Sequence, residues 1–321
     1  MPSIPFLKPA NGAKFADRGI KKTGELLTPW DGTAVSGIGV LGIPLSKTSI
    51  SHSGAHLAPE TIRFMMHSLT TYHIGSGQDL WDERIIDFGD INMHVTDLFE
   101  SQMRIHDTVT HVLHKCPDLV PVFLGGDHSI SAGAISAFSQ AKGRVGIIQF
   151  DAHHDLRNLE DGGPSNGTPF RQLIEKGSIE GNQLVQIGIR DFANGKMYHD
   201  YAVEHGVTVY TMDDVRKTGL IAILEESVEK LKMSCVTLYV SLDMDVLDQA
   251  YAPGCPAIGP GGMDSGVLIE GMVWLAKNGS VKGMDIVEID PTLDFRHMTS
   301  RLAAYILMQF YTHYNNESFP I

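Results

Sequence analysis

Gly146–Asn158 reads GIIQFDAHHDLRN. Ile147, Ile148, Gln149 and Phe150 have the character of a short strand, and they run without a break into Asp151, His153, His154 and Asp155. An apolar run of this length, bounded by charge rather than alternating with it, is the signature of a strand covered on both faces of a parallel sheet. If the chain stays extended beyond Phe150, the side chains at 151, 153 and 155 point the same way. Two kinds of metal-binding or proton-carrying group then stand at one strand exit.

The same kind of run recurs on both sides. IGVLGI from Ile38, RIIDFG from Arg84, VPVFLGG from Val120, LVQIGI from Leu184, VTVYT from Val207, VTLYVSL from Val236 and GMDIVEI from Gly283 all read as buried strands. Between them lie segments with apolar residues near helical spacing, such as APETIRFMMHSL from Ala58, DLFESQMRIHDTVTHVLHK from Asp97, SISAGAISAFSQ from Ser129, GLIAILEESVEKLK from Gly219 and DSGVLIEGMVWLAKNG from Asp264. Repeated strand and helix units predict an α/β domain with a parallel sheet of about eight strands. An open doubly wound sheet and a closed barrel both satisfy that pattern. In either, function gathers at the carboxyl ends of the strands. No repeat, low-complexity stretch or linker divides the 321 residues, so one domain spanning 1–321 is expected, with residues 1–35 as an irregular extension packed on it.

Composition removes several classes of partner. A formal net charge of −13 and no block of Lys or Arg would repel a phosphate backbone, so no nucleic-acid partner is expected. No apolar run is long enough to cross a bilayer, and the N-terminal residues lack the apolar core of a signal peptide, so no membrane partner is expected either. Cys116, Cys235 and Cys255 are odd in number and far apart. They argue against a disulfide framework or a thiolate zinc site and predict a reducing, cytoplasmic compartment.

Three strand exits carry the chemistry. Asp127 and His128 follow VFLGG, the DAHHD group follows IIQF, and Asp243, Asp245 and Asp248 follow LYVSL. Four Asp side chains in one pocket repel each other strongly unless cations or shared protons neutralise them. Two imidazoles and four carboxylates can hold two divalent ions roughly 3.5–4 Å apart, an arrangement that activates a water for hydrolysis. Oxygen-rich ligation without sulfur favours Mn(II) over zinc. Asp127 also has the plainer role of a helix cap open to it. Cys255, followed directly by Pro256 and lacking a matching His motif, reads as a structural thiol rather than a nucleophile.

GGDHS, DAHHD and SLDMDVLD followed by PGCPAIGPGG resemble the metal-binding signatures of the ureohydrolases, the arginase and agmatinase family of binuclear manganese enzymes. The resemblance covers nearly the whole chain. It implies a three-layer α/β/α fold around an open, mostly parallel sheet of about eight strands, two Mn(II) per subunit, a small-molecule substrate, and a homo-oligomer, trimer or hexamer. Carried over by motif position, His128, Asp151, Asp155 and Asp243 would hold one ion, and Asp151, His153, Asp243 and Asp245 the other. Glu288 matches the family glutamate that pairs with the guanidinium of the substrate.

Within that family the chain is most similar to the branch that splits N-formimidoyl-L-glutamate into glutamate and formamide. This rests on TPWDG (Thr28 to Gly32), PLSKTSISHSGA (Pro44 to Ala55), FDAHHDLRNLEDGGPSNGTPFR (Phe150 to Arg171), APGCPAIGPGG (Ala252 to Gly262) and EIDPTLDFRHMTSR (Glu288 to Arg301). Asn166 stands where arginases carry a histidine that shuttles protons. Arg157 stands where they carry an asparagine that touches the substrate carboxylate. A substrate with two carboxylates suits a permanent, forked cation near the metals, so Arg157 is the first candidate to bind it, with Arg171 and Arg190 behind it. Asp155, His154 or a relayed water could return the proton to the leaving amine, and the sequence leaves these open. Lys47, Ser51 and His52 have no assigned role. A relative that releases urea from a guanidino acid or agmatine, and a non-catalytic subunit, are the rival readings.

Overall fold

The computed structural model describes residues 17–51 and 53–314. Its strands are β1 (Leu27–Pro29), β2 (Gly37–Ile43), β3 (Tyr72–His73), β4 (Gln78–Asp79), β5 (Ile85–Asp90), β6 (Leu119–Gly125), β7 (Val145–Phe150), β8 (Leu184–Ile189), β9 (Thr208–Thr211), β10 (Thr237–Asp243) and β11 (Val281–Val287). All but the β3–β4 hairpin form one nine-stranded sheet in the order β1-β5-β2-β6-β11-β10-β7-β8-β9, and every pairing in it is parallel. β1 and β9 are free edges, so the sheet is open and the barrel is excluded. Each of the eight apolar runs read from the sequence is a strand of this sheet.

The ninth strand departs from expectation. β1 lies within the stretch read as irregular, and it pairs with Ile85–Asp87. A three-residue strand ending in Pro29 is too short to show a period, and proline is tolerated at a sheet edge because it has no N–H to offer inward. The part of that expectation that falls on residues 1–16 lies outside the described residues, as does the reading of a leaderless N-terminus.

The helices are α1 (Ala58–Met66), α2 (Leu98–Lys115), α3 (Ile130–Lys142), α4 (Pro169–Glu175), α5 (Lys196–Glu204), α6 (Met212–Thr218), α7 (Leu220–Lys232), α8 (Ser265–Asn278) and α9 (Met298–His313). Alternation along the strands assigns them to two layers. Ile148 and Phe150 of β7 join a core with residues of α1, α6, α7, α8 and α9. Val145 and Ile147 of the same strand join another with residues of α2, α3, α4 and α5. Side chains two apart on a strand share a face, so these cores lie on opposite sides of the sheet. The result is the three-layer α/β/α architecture. No helix among the described residues is long and apolar enough to cross a membrane.

Register positions the site. Leu124 pairs with Ile286, Asp243 with Val287, and Leu242 with Phe150, so β6, β11, β10 and β7 end side by side at the centre of the sheet.

Candidate metal centre

Each strand exit is held in place by its own backbone and side-chain bonds. The Asp151 N–H still donates to Ile187 O of β8 (3.1 Å), which carries the line of β7 one residue past its end. The Ala152 N–H donates to Asp245 Oδ1 (3.1 Å) and the His153 N–H to Asp151 Oδ1 (2.6 Å). At the end of β10, Asp243 accepts from the Asp245 N–H (2.8 Å), tightening the chain into a single turn that turns both carboxylates inward. At the exit of β6, Gly126 passes so close to the backbone of Leu45 that a Cβ would not fit. The Glu288 N–H donates to Gly126 O (3.0 Å), which joins the ends of β6 and β11. Asp155 and Glu288 have left-handed backbone, with φ of 52° and 60°. Non-glycine residues in that region carry strain, and such strain concentrates at functional sites.

Two groups of candidate ligands result. One is His128, Asp151, Asp155 and Asp243, and the other is Asp151, His153 and Asp245, with the ligand atoms of each group all within 4.8 Å of one another. Asp151 belongs to both. Asp243, expected to serve both, falls in the first alone. His128 Nδ1 faces Asp155 Oδ2 at 2.9 Å, Asp151 Oδ2 at 3.1 Å and Asp243 Oδ2 at 3.2 Å, yet it is a buried atom with no hydrogen bond of its own. Three carboxylate oxygens and an orphaned ring nitrogen converging on one point are what a divalent cation requires. The donor set fits a hard ion accepting nitrogen and oxygen.

The electrostatics agree. Burial pushes Asp243 well above the usual carboxylate range, with the charges of Asp245 and Asp151 adding to it. Burial and Asp151 push Asp155 up to about 6. The Asp245 carboxylate pushes His153 up to about 12. Burial alone would lower His128 and raise Asp151, but the three carboxylates facing the ring hold His128 well above its usual range, and the imidazoles of His128 and His153 hold Asp151 below its own. Without a cation, protons are the only positive charge this cluster can gather, and it binds them tightly.

A polar layer beneath this cluster escapes a reading of the sequence. Asp285 accepts from Ser241 (2.8 Å), Ser131 (2.8 Å) and Tyr239 (2.9 Å), all buried. Because Ser241 gives its proton to Asp285, its oxygen accepts from His128 Nε2 (2.9 Å). A neutral imidazole here would therefore carry its proton on Nε2 and offer the Nδ1 lone pair to a cation among the carboxylates. Gln149 Nε2 likewise donates to Asp151 Oδ2 (2.7 Å). The signal that could have found this layer is a polar residue set among apolar ones in each of three strands, Gln149, Ser241 and Asp285, since a buried polar group must find a partner.

Beside the cluster opens a cleft of about 130 Å³ whose walls include Ser51, Asp155, Arg157, Asn166, Tyr198, Ala257 and Glu288. Glu288 is buried; burial and the nearby Asp127 push it up to about 8. Its Oε1 accepts from the His128 N–H (2.8 Å) and from Asn166 Nδ2 (3.0 Å). Asn166 also accepts from the Ile50 N–H (2.9 Å), so it fastens the loop after β2 to the wall. Arg157 is exposed at the rim, and no carboxylate pairs with it among the described residues.

The other two arginines, also candidates for the substrate, are engaged with partners inside the protein. Arg171 pairs with Glu175 and lies 3.6 Å from the centre of the Tyr201 ring, outside the cleft. Arg190 is buried and spends its fork on Gly259 O (2.6 Å) and Asp245 O (2.7 Å), bracing the Asp245 turn from behind. His154 contributes to no ligand group; its ring is buried between Gln186 (2.6 Å) and His199 (3.3 Å). Asp127 accepts from the Ser129 N–H (3.1 Å) just ahead of α3, whose N-cap is Ser129 itself. Asp248 fastens a loop through the backbone of Ala250 and Gly261. Lys47 donates to His94 O (2.9 Å). His52 lies outside the described residues. Cys255 is buried and free, with its thiol pushed well above the usual range by burial, as suits a packing residue.

Known proteins resemble this chain in sequence and in fold. The chain is 58% identical over 310 residues to a formimidoylglutamase of Halalkalibacterium halodurans, covering 97% of both chains. The crystal structure of formimidoylglutamase from Bacillus subtilis superposes with a TM-score of 0.94 at 47% identity, covering 99% of this chain and 98% of that one. A Trypanosoma cruzi formiminoglutamase solved with Mn2+ matches with a TM-score of 0.78 at 26% identity, over 86% of this chain and 92% of that one. The model of the arginase family matches residues 36–312. The chain therefore belongs to the arginase family.

Proposed function

We propose that this protein is a hydrolase that cleaves N-formimidoyl-L-glutamate to L-glutamate and formamide, a step of histidine breakdown, in the cytoplasm. Its two ions are Mn(II), the metal of the Trypanosoma cruzi structure. His128, Asp151, Asp155 and Asp243 hold one and Asp151, His153 and Asp245 the other, within a single domain that assembles as a trimer or hexamer. The observation that carries the reading is the cleft itself. An acidic wall, Glu288, and a forked cation, Arg157, face the same small space beside the ligand cluster, which suits a molecule with an amidine at one end and carboxylates at the other. The identity to formimidoylglutamases over nearly the whole chain supports it.

When bound, the two ions supply a water acidified toward neutral pH. The chain supplies the rest. Glu288 receives the amidinium, and the arriving positive charge favours the ionised carboxylate that burial opposes. Asn166 keeps Oε1 of Glu288 oriented by donating to it. Arg157 anchors a substrate carboxylate through a charge-assisted pair. Water adds to the amidinium carbon, the bond from that carbon to the glutamate nitrogen breaks, and both protons of the water end on that nitrogen, so formamide leaves beside the ammonium group of glutamate. Asp155 faces His128 through Oδ2, leaving Oδ1 to take up and return a proton. His154, with both ring nitrogens engaged, is less well placed. Assay of purified, Mn(II)-loaded protein for formamide and glutamate tests the reading against arginine, agmatine and guanidino acids. Release of urea from one of those with the higher kcat/KM would move the protein to the urea-forming branch.

A further inference from the structure

Arg157 is an exposed, flexible side chain on a loop, and such a side chain selects substrate only if something holds it. Three contacts do. Its N–H donates to Gly167 O (2.9 Å), pinning the main chain. The arginine stem lies where a side chain on Gly167 would start: a Cβ there would come within 2.7 Å of Arg157 Cδ and 2.9 Å of Ile50 Cδ1 and would push the stem aside. On another element, the guanidinium carbon stands 5.7 Å from the centre of the Tyr198 ring, within the range of a cation–π contact. Tyr198 lies near the start of α5 and lines the same cleft as Arg157, Gly167 and Ile50.

We propose that Tyr198 and Gly167 form a clamp that sets the substrate selectivity of the cleft. Gly167 yields its side-chain space to the arginine stem and Tyr198 lays an aromatic face beside its head, so that the fork is presented to a carboxylate. Tyr198 is thus a positioning residue acting through Arg157, and the ligand class is an amidino or guanidino acid. An α5 or 166–167 loop altered at these positions would relax the preference for carboxylates without touching the ligand cluster. The clamp rests on the carboxylate-binding role given to Arg157 above.

The test is a double-mutant cycle on the Mn(II)-loaded enzyme, using the carboxylate-bearing substrate it turns over best. Tyr198→Leu is expected to raise KM about fivefold, the scale of a partly exposed cation–π contact, with kcat within about twofold. Tyr198→Phe, which keeps the ring, should return KM to within about twofold of the parent. In an Arg157→Ala background, Tyr198→Leu should change KM by less than about twofold. Gly167→Ala should reproduce the KM defect. Should that variant misfold, the Tyr198 cycle decides alone. Additive effects of Tyr198→Leu and Arg157→Ala, or equal defects in the Leu and Phe variants, would overturn the clamp while leaving the reaction standing. Preference for a guanidino acid over N-formimidoyl-L-glutamate would overturn the proposed substrate and leave the cycle measurable. Turnover of agmatine alone would overturn both.

Discussion

Asp243 and Arg157 border the same cleft, but Asp243 is 2% exposed at the end of a central strand while Arg157 is exposed on a loop between β7 and α4. The floor to which Asp243 belongs is over-determined. Its carboxylates are aimed by backbone N–H groups, their imidazole is oriented by Ser241 and Asp285, and their strands are register-locked on both sides. The rim depends on a few local contacts. A floor built that way serves a reaction common to many substrates, and a rim built this way can change with little cost to folding, since loops tolerate substitution. In the proposed reading, chemistry belongs to the floor and selectivity to the rim.

The floor should be intolerant. Asp151→Asn or Asp243→Asn is expected to lower kcat by about a thousandfold or more and to leave the purified protein with less than its full complement of metal, since each removes an anionic ligand. Metal analysis alongside single-turnover kinetics checks this. Either variant retaining two tightly held ions and near-normal kcat would mean that the cluster is not the catalytic centre.

One layer down the effect should be smaller but of the same kind. Asp285→Asn weakens the acceptor that orients Ser241 and, through it, His128. Loss of such an outer partner typically costs 10–100-fold in metal affinity. Competition with a chelator, followed by metal content rather than turnover, measures it, and Ser241→Ala should behave alike. An unchanged affinity in both would reduce this buried network to packing.

At the rim the loss should be smaller still and should fall on a different constant. Arg157→Ala removes a charge-assisted pair worth about 2 kcal/mol at a solvent-exposed site, or roughly 30-fold in kcat/KM, most of it as KM because the carboxylate is unchanged by bond cleavage. Arg157→Lys should recover only part, since an ammonium keeps the charge without the planar fork. Metal content should be untouched. If kcat fell as steeply as in the Asp243 variant, the division between floor and rim would fail.

The same division explains what is legible in the sequence. Strand exits are legible because a buried parallel strand is a continuous apolar run, and the residue that ends it is fixed in position by the sheet. DAHHD and SLDMD are therefore interpretable from the order of their residues alone. The arginines are not, because the direction of a long side chain is set by tertiary partners. Arg171 finds Glu175 and Tyr201, and Arg190 finds two carbonyl groups on loops distant in sequence. Gln149, Ser241 and Asp285 are visible as polar interruptions of apolar strands, but the strand pattern alone does not say what they bond to.

The last expected effect is on stability, and it separates floor from rim without any substrate. In the metal-free protein Glu288 is pushed from 4.5 to about 8, Asp127 and Asp155 from 3.8 to about 6, and His153 from 6.5 to about 12, while Asp243 and His128 are raised as well. A group whose folded pKa lies above its unfolded value holds a proton in the folded state that the unfolded state has already released. Between pH 5 and 8 the folded protein therefore binds more protons than the unfolded one, and stability must fall as pH rises. Asp151 is shifted the other way, but its window lies below its ordinary value of 3.8 and leaves this range untouched. The melting temperature of chelated protein should drop by several degrees from pH 5 to pH 8. Mn(II) should reverse the slope, because metal competes with those protons and binds better as they leave. Arg157→Ala should leave both slopes as they are, since its charge does not titrate in this range. Asp243→Asn should flatten the metal-free slope by removing one of the titrating carboxylates. A metal-free melting temperature that rises between pH 5 and 8 would show that the buried carboxylates are not mutually repelling, and would remove the electrostatic case for a cation at the floor.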